Sequence, residues 1–237
     1  MQKKSISRTL ISVIAVIIFV PAAILIGWYM GDRQYYITGV IIIILSMVPF
    51  FVGFENRKPQ ARELVCIAVM CAIAVASRVA FIMVPHFKPI IGIIIIAGMA
   101  FGPAAGFLTG SISAFVSNFI FGQGPWTPWQ MFSYGLAGFI AGLLTKAGVL
   151  KPEKRIPVTI FGGLIIMLIV GPLLDTCTVF TMASMVNTVS LAAVYLAGVP
   201  VNTVLAVCTM LTLLLLCKPM TEKLNRIKVK YGMMEED

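Results

Sequence analysis

The sequence predicts an all-α integral membrane protein, and three observations support this fold class. Of its 237 residues, 59% are hydrophobic and only 11% are charged, whereas soluble globular domains are about 45–50% apolar and about 25% charged. The apolar residues fall in runs that are long enough, at about 1.5 Å per residue, to cross a hydrocarbon layer of roughly 30 Å. Runs such as 41–44 and 211–216 do not alternate between apolar and polar residues, which argues against a transmembrane barrel.

The candidate helices follow one another along the chain, with short polar segments between them. The first run has basic residues before it, as a signal peptide does, but it continues to Met30 without a small-residue cleavage site, so we expect a retained helix. The fourth run is shorter than the rest, and the last ends at Cys217, before a basic segment. In chain order the predicted helices are Leu10–Met30, Tyr36–Phe54, Leu64–Val84, Ile90–Phe101, Pro103–Phe121, Trp129–Leu144, Val158–Phe180 and Leu191–Cys217.

The segment 55–63 is the most polar interior stretch and predicts a boundary between two parts of the protein. We expect an N-terminal transmembrane helix pair with its cytoplasmic linker in residues 1–62, and a six-helix membrane core in residues 63–217. Residues 218–237 form a cytoplasmic tail that is basic first and acidic at its end. Contact with anionic lipids is the simpler expectation for this tail, and docking of a partner is the alternative.

The distribution of lysine and arginine predicts which side of the membrane each segment faces, because basic loops resist translocation. If both termini are cytoplasmic, the basic residues on the outer side between apolar runs are only Arg33 and Lys88. The other lysines and arginines outside the apolar runs then lie on the inner side. We therefore predict a multi-pass protein with both termini in the cytoplasm, and the net charge of +9 reflects this asymmetry instead of a nucleic-acid surface.

The residue types that carry most enzyme chemistry are scarce. The five cysteines all lie in apolar runs without C-x-x-C spacing, and His86 is the only histidine, so neither a disulfide framework nor a metal site is expected. The sequence has no phosphate-binding glycine loop, Ser–His pair or adjacent carboxylate pair. We therefore expect a protein that is not an enzyme, holds no cofactor and depends on partners for any use of ATP.

Two charged residues, Arg78 and Asp175, interrupt the apolar runs, and each is costly in hydrocarbon. In the predicted topology both lie in the outer third of their helices. They could neutralise each other and fix the register of two helices, or one or both could line an outward-facing cavity and bind a polar group of a ligand. The inner half has no such charge, which favours a cup that opens outward over a pore.

Two predicted outer loops carry further candidate ligand contacts. The loop 85–89 contains a histidine and a lysine, and the loop 122–130 contains two prolines and two glycines, which predicts a rigid segment. Its tryptophans could form an interfacial aromatic belt or a stacking lid, and the histidine could equally be a solvated side chain. With the charges above, the candidate substrate-binding residues are Arg78, His86, Lys88, Asn118, Gln123, Trp126, Trp129, Gln130 and Asp175.

Small residues recur at helical spacing in three of the predicted helices, so each of these helices has a smooth face that another helix can approach closely. Tight packing inside the bundle is the expectation for the two glycine faces. For the alanine face, packing inside the bundle and docking of a separate membrane partner are both open. The residues are Ala68, Ala72 and Ala76 in the third helix, Gly102, Gly106, Gly110 and Ala114 in the fifth, and Gly135, Gly138 and Gly142 in the sixth.

Several short motifs along the core occur together as a set. They are Ala68-x-x-x-Ala72, Phe87-Lys-Pro89, Ala97-Gly-Met-Ala-Phe-Gly-Pro103, Gly106-Phe-Leu-Thr-Gly110, Ser117-Asn118 and Gly122-Gln-Gly-Pro-Trp-Thr-Pro-Trp-Gln130. As a set they resemble the substrate-specific (S) components of energy-coupling factor (ECF) transporters. The resemblance covers residues 63–217 and is closest to the S components linked to cobalamin and related corrinoids.

That resemblance implies the substrate-binding subunit of an ATP-driven vitamin importer in a bacterial cell membrane, with cobalamin as the first expectation for its cargo. It implies docking of Ala68, Ala72 and Ala76 on a transmembrane coupling (T) protein, and two ATP-binding cassette ATPases that drive toppling of the subunit. Riboflavin, a queuosine precursor or another vitamin are alternative cargoes. A self-sufficient secondary carrier is an alternative class, although no internal repeat supports it. The N-terminal helix pair departs from the six-helix plan of the family.

Overall fold

The computed structural model describes residues 35–56, 59–182 and 188–232, and within these ranges the protein is all-α, without strands. This confirms the predicted fold class. The predicted helix Leu10–Met30 lies outside the described residues. A π-helical turn, Ile166–Val170, lies between two of the α-helices. The α-helices, numbered in chain order, are α1 (Tyr35–Asn56), α2 (Ala61–Ala80), α3 (Ile90–Phe101), α4 (Pro103–Phe121), α5 (Trp126–Lys146), α6 (Arg155–Ile165), α7 (Gly171–Met182) and α8 (Thr188–Tyr231).

Several of these helices have the length and composition of membrane spans, which makes the chain a multi-pass membrane protein. Helix α3 is apolar but has only 12 residues, or about 18 Å of helix, which is less than the hydrocarbon thickness. The orientation of the termini stays a prediction. The five segments of the described chain that are long and apolar enough to cross a membrane are Gly39–Asn56, Ala61–Ala80, Pro103–Phe121, Arg155–Thr181 and Leu191–Tyr231.

Several helix boundaries differ from the sequence-based expectation, and three of these differences have a local cause. Helix α2 ends at Ala80, because the apolar residues 81–84 form turns before Pro85, and a proline disfavours helix in the residue before it. Helix α5 begins earlier than expected, with Pro128 in its first turn, where no backbone donor is needed. Helix α8 continues from the apolar run into the basic tail, and it ends at Tyr231 before Gly232, which has a φ of +56°.

Helix α3 forms the centre of the bundle. All 12 of its residues are buried, and α2, α4, α5 and α8 pack around it. A helix that is apolar on every side is expected in such a position. At its C-terminal end, Lys228 of α8 donates a hydrogen bond to the carbonyl oxygen of Ala100 at 2.9 Å, so a positive charge meets the negative end of the helix dipole. The helical part of the basic tail therefore contacts the core.

Helices α3, α4 and α5 pack backbone against backbone along their glycines. A Cβ atom added to Gly98 or to Gly106 would collide with the carbonyl group of Gly138, and one added to Gly142 would lie 2.6 Å from the nitrogen of Pro103. These separations are too short for any side chain. The structure thus confirms tight packing for the glycines within α4 and α5, as the spacing predicted, whereas at Gly102, between α3 and α4, an added Cβ would meet nothing within 4 Å. We call this contact the glycine seam.

Helix α1, the second helix of the predicted N-terminal pair, packs directly on the core, against α4, α5 and α7. An aromatic cluster makes much of this contact. The ring of Phe50 stacks on that of Phe107 with centroids 4.1 Å apart, and it meets the ring of Phe139 edge-on at 5.0 Å. Such aromatic pairs add attraction beyond the apolar area they bury. Helix α1 is therefore part of the folded bundle.

The π-helical turn between α6 and α7 has a local cause in the sequence. Pro172 is the second residue after the turn and has no backbone N–H, and its ring would clash with the carbonyl of residue 168 in a regular α-helix. A wider turn removes that clash while the rod stays continuous. The rod then runs over Arg155–Thr181 and packs against α8.

Candidate functional site

Arg78 lies on the inner face of α2, in its last turn, and is only 8% exposed. Its Nη1 atom donates hydrogen bonds to the hydroxyl of Ser117 and, at 2.9 Å, to the Oδ1 atom of Asn118, both on α4. The guanidinium carbon also lies 4.3 Å from the centre of the Phe121 ring, which is a favourable cation–π distance. The predicted membrane-embedded arginine is therefore held between the C-terminal ends of two helices.

Asn118 connects Arg78 to the start of α5. While its Oδ1 atom accepts from Arg78, its Nδ2 atom donates to the Thr127 hydroxyl at 3.0 Å and to Gln130 Oε1 at 2.8 Å. The Thr127 hydroxyl in turn donates to Gln123 Oε1 at 2.9 Å. Four of the sequence-predicted residues, Arg78, Asn118, Gln123 and Gln130, thus belong to one hydrogen-bonded group. We call this group, together with Ser117 and Thr127, the polar network.

The loop 81–89, between α2 and α3, closes over the same end of the bundle. Lys88 donates hydrogen bonds to the carbonyl oxygens of Phe81 and Val84, at the C-terminal end of α2, and its ammonium lies 5.5 Å from the Phe121 ring. Partial burial and the nearby Arg78 guanidinium lower the pKa of Lys88. Two cations therefore flank one aromatic ring. His86 is exposed and has a left-handed backbone, with a φ of +58°.

The two tryptophans of the predicted lid occupy different environments. Trp126 is 42% exposed, and its ring covers Gly124, where an added Cβ would lie 2.5 Å from it. Trp129 is only 6% exposed and packs with Ile43 of α1 and with Cys177 of α7. A lid formed by both rings is therefore wrong for this structure, because α5 begins at Trp126 and turns Trp129 inward. A ligand contact by either tryptophan stays a prediction.

Asp175 belongs to a separate polar contact between α7 and α8. Its Oδ2 atom accepts a hydrogen bond from Asn202 Nδ2 at 2.9 Å, and the carboxylate fills the space where a Cβ of Gly198 would be, 2.5 Å away. In the described part of the chain, no hydrogen bond or salt bridge joins Asp175 to Arg78. The alternative in which these two charges neutralise each other is thus not what the structure has. Binding of ligand by Asp175 stays a prediction.

The alanine face of α2 points away from the bundle. Ala68, Ala72 and Ala76 are all exposed, as are Val65 and Val69 beside them. The opposite side of the same helix carries its buried residues, among them Arg78. Helix α2 therefore has the exposed alanines on one side and, on the other side, Arg78 of the polar network.

The sequence did not mark some of the residues that complete these contacts. Thr127 has the most polar contacts of them, because its hydroxyl meets Gln123, Asn118 and the backbone nitrogen of Gly124. Its position between two prolines was the available signal. Asn202 could have been found as a polar residue in an apolar run. Phe121 carried no signal that separates it from other apolar residues.

Within the described ranges, no group of three or more histidine, cysteine, aspartate or glutamate side chains could hold a metal ion. The polar network contains amides, hydroxyls and a guanidinium, which suit hydrogen bonding to an organic molecule better than coordination of a cation. The arrangement can therefore bind and orient a polar group. It offers no nucleophile paired with a base.

Comparison with known proteins adds a family to this geometry. The family described as the ECF-type riboflavin transporter, S component, matches residues 58–222, which is more than half of the chain. A UPF0397 protein of Vibrio atlanticus (strain LGP32) is 28% identical over 120 residues, a match that covers 47% of this chain and 64% of that relative. No solved structure matches significantly. The family consists of transporter subunits and not of enzymes, and the chain belongs to these S components of ECF-type transporters.

Proposed function

We propose that this chain captures a vitamin-sized solute at the outer face of the membrane, as the substrate-binding subunit of an ATP-driven importer. Membership of the S-component family supports this class of function. The match to the UPF0397 relative supports it less, since the chain covers less than two thirds of that protein's length. The isolated chain should bind its ligand without hydrolysing it, because it lacks the motifs of an ATPase.

The observation that carries the proposal is the polar network at one end of an otherwise apolar bundle. A guanidinium, three amides and two hydroxyls converge there from α2, α4, α5 and the loop before α5. Polar groups inside a membrane protein are costly and therefore mark a candidate functional site. The loop 81–89 and the loop 122–125 meet at this end. A solute that enters between the two loops would reach the network first.

For the cargo, the proposal places riboflavin-type ligands before cobalamin. The description of the matching family names riboflavin. In addition, the expectation of a corrinoid depended on a broad mouth with two tryptophans, and Trp129 is buried between helices. With Trp126 as the exposed ring of this pair, a smaller ligand fits the chemistry better. Cobalamin and queuosine precursors remain members of the test panel.

For the partners, the proposal assigns the exposed alanine face of α2 to a transmembrane coupling protein, with two ATP-binding cassette ATPases attached to it. Small side chains allow a helix of the partner to approach closely, and packing in lipid depends on such close contact. The face is exposed over two turns of helix, from Ala68 to Ala76. The importer would then topple the subunit and release its cargo inward.

The test begins with mass spectrometry of small molecules that copurify with the full chain in detergent, followed by equilibrium binding across a panel of vitamins and precursors. We expect one vitamin-class ligand to bind, and uptake into vesicles to require ATP together with the coupling protein and its ATPases. Uptake that proceeds without any ATPase would instead support a secondary carrier. Failure of every panel member to bind at micromolar concentration would contradict the proposal.

A further inference from the structure

Arg78 is a buried cation whose hydrogen-bond partners in the described chain are all neutral. Ser117 and Asn118 accept from it, and Phe121 supplies a ring face. The nearest acidic residue on its own helix is Glu63, which lies 15 positions away, or about 22 Å along α2. Asp175 is hydrogen-bonded to Asn202. A buried charge without an opposite charge is costly, so this arrangement needs an explanation beyond packing.

The unused donors of Arg78 lie on one edge of the guanidinium. Both hydrogen bonds to α4 start from Nη1, and Nε is buried without any partner in the described chain. Neither of these two hydrogen bonds uses Nη2. The Nε and Nη2 atoms form the fork that binds a carboxylate or a phosphate with two parallel hydrogen bonds. The contacts to α4 therefore hold Nη1, whereas the buried Nε on the two-donor edge has no acceptor in the described chain.

Lys88 increases the positive potential at this position. Its ammonium lies 5.5 Å from the centre of the Phe121 ring, and the guanidinium carbon of Arg78 lies 4.3 Å from the same centre, so the two positive charges are close to one another. The carbonyl groups at the end of α2 offset part of the lysine charge. Nothing acidic in the described contacts offsets the arginine. An incoming negative group would relieve both the repulsion and the burial cost.

We propose that Arg78 receives an anionic group of the transported solute, a carboxylate or a phosphate, on its Nε and Nη2 atoms, with Asn118 and Ser117 as positioning residues that hold the guanidinium. This proposal rests on the proposed function and narrows its ligand class. Uncharged riboflavin would then bind less tightly than its 5′-phosphate. Because Nε is shielded from solvent, the loop 81–89 or the Phe121 ring must move before the anion can enter.

The same chemistry could come from the headgroup of an anionic phospholipid. A phosphate at the depth of a helix end is available from the membrane itself, whereas a vitamin phosphate or carboxylate comes from solution. The two sources differ in one respect that can be measured. The lipid would occupy the arginine in a phosphatidylglycerol bilayer and would compete with a soluble acid.

The test compares acidic and neutral members of matched ligand pairs on the full chain in a neutral detergent. The pairs are riboflavin 5′-phosphate with riboflavin, and pantothenate with pantothenol. We expect at least one acidic member to bind roughly ten- to hundredfold more tightly than its neutral partner, as charge-assisted hydrogen bonds allow. In Arg78→Gln this preference should disappear, because the glutamine amide carries no charge and lacks the two-donor fork. Arg155→Gln, which changes an exposed arginine on α6, is the control and should keep the preference.

A second measurement needs no ligand. If Arg78 is an uncompensated cation kept for an anion, then ligand-free Arg78→Gln should melt at or above the temperature of the unaltered chain, because the variant removes a buried charge. A clearly lower melting temperature would mark Arg78 as structural and would overturn the proposal. Equal binding of acidic and neutral members would also overturn it. The assignment to a solute would also be overturned by one combined result. In that result, phosphatidylglycerol displaces the acidic ligand, and in neutral detergent the acidic member binds no more tightly than its neutral partner.

The outcomes separate this inference from the proposed function. If a neutral vitamin binds and is imported while the acidic members show no advantage, the transport function stands and the anion site fails. If no vitamin binds but Arg78→Gln raises the melting temperature, the charge is uncompensated and the vitamin function fails. Arg78→Lys keeps the charge without the two-donor fork, and it should retain only part of the preference.

Discussion

Two faces of small residues in this protein have the same spacing and opposite uses. On α4 and α5, the glycines of the seam interlock so closely that an added Cβ would meet backbone atoms of the neighbouring helix. On α2, the alanines recur at the same interval of four, yet they are exposed. The spacing of small residues therefore shows that a helix has a smooth face, and it shows nothing more. Whether that face is already covered by the chain depends on the rest of the fold.

The two faces also differ in the residue type, and the difference has a physical reason. Backbone-to-backbone contact requires glycine, because even one methyl group fills the space, and the seam is formed once during folding. Alanine keeps a methyl group that a partner can pack against, and it costs less helix stability than glycine. An exposed face that must remain helical without a partner is therefore better made of alanine. The seam should govern folding, and the alanine face should govern association.

Of the substitutions proposed here, one that disrupts the glycine seam should have the largest effect, and this effect is a loss of folding stability. Gly138→Ala adds a Cβ that would collide with the carbonyl of Gly106 and lie 2.9 Å from Ile94, so the helices must separate, at a cost of about 3 kcal/mol or more. Thermal unfolding and size-exclusion profiles in detergent measure this loss. The matched control is Gly53→Ala on α1, where an added Cβ meets nothing within 4 Å. The control should be neutral or slightly stabilised. Equal melting of both variants would contradict the role of the seam.

Breaking the alanine face should leave folding intact and abolish transport. Ala72→Trp places a bulky ring on an exposed surface, so the chain should fold and bind ligand normally, while uptake with the partner proteins falls at least about tenfold. Vesicle uptake and copurification of the coupling protein measure the effect. Leu215→Trp is the control, because Leu215 is 67% exposed on α8 and its replacement adds similar bulk elsewhere. Normal uptake by Ala72→Trp would remove this face from the interface.

Much of the fold could be predicted from the sequence because membrane helices obey strong local rules. Apolar runs predicted every helix between Tyr35 and Tyr231, with ends within three residues of those observed except at the C-terminal ends of α2 and α8. The basic extension of α8 was not predicted as helix, since polar residues after an apolar run resemble a loop. What stabilises it is tertiary contact, namely the hydrogen bonds from Lys228 to Ala100 and from Arg62 to the carbonyl of Tyr231.

The candidate site was predicted less completely, and the reason is geometric. Charge in an apolar run marked Arg78, and polar loop composition marked Gln123 and Gln130, and these do converge. A single sequence does not show which helices are neighbours. The sequence therefore allowed an ion pair between Asp175 and Arg78, whereas in the structure Asp175 accepts a hydrogen bond from Asn202. The same limit applies to Trp129, whose direction depends on where α5 begins.

The polar network lies between the two faces, and weakening it should have an intermediate effect. Gln130→Ala removes the acceptor of one Asn118 hydrogen bond at 2.8 Å and loosens the group that holds Arg78, so ligand affinity should fall about fivefold, or roughly 1 kcal/mol. Equilibrium binding of the identified ligand measures it. Thr145→Val is the control on the same helix, since within the described residues that hydroxyl donates to the carbonyl of Ala141 alone. Unchanged affinity in Gln130→Ala would remove this residue from the site.

The smallest effect on stability is expected at Gly198, because the space beside this glycine is filled by a polar side chain, that of Asp175, and not by backbone. Asp175 occupies the position left open by Gly198, and Asp175→Asn keeps an oxygen that can accept from Asn202, so the free energy of unfolding should change by less than about 0.5 kcal/mol. Asp175→Leu should cost about 1–3 kcal/mol, because the buried Asn202 amide then lacks an acceptor. Thermal unfolding separates the two variants. If Asp175→Asn folds normally but loses ligand affinity, the carboxylate contacts the solute, and the contact between α7 and α8 belongs to the binding site instead of to the scaffold.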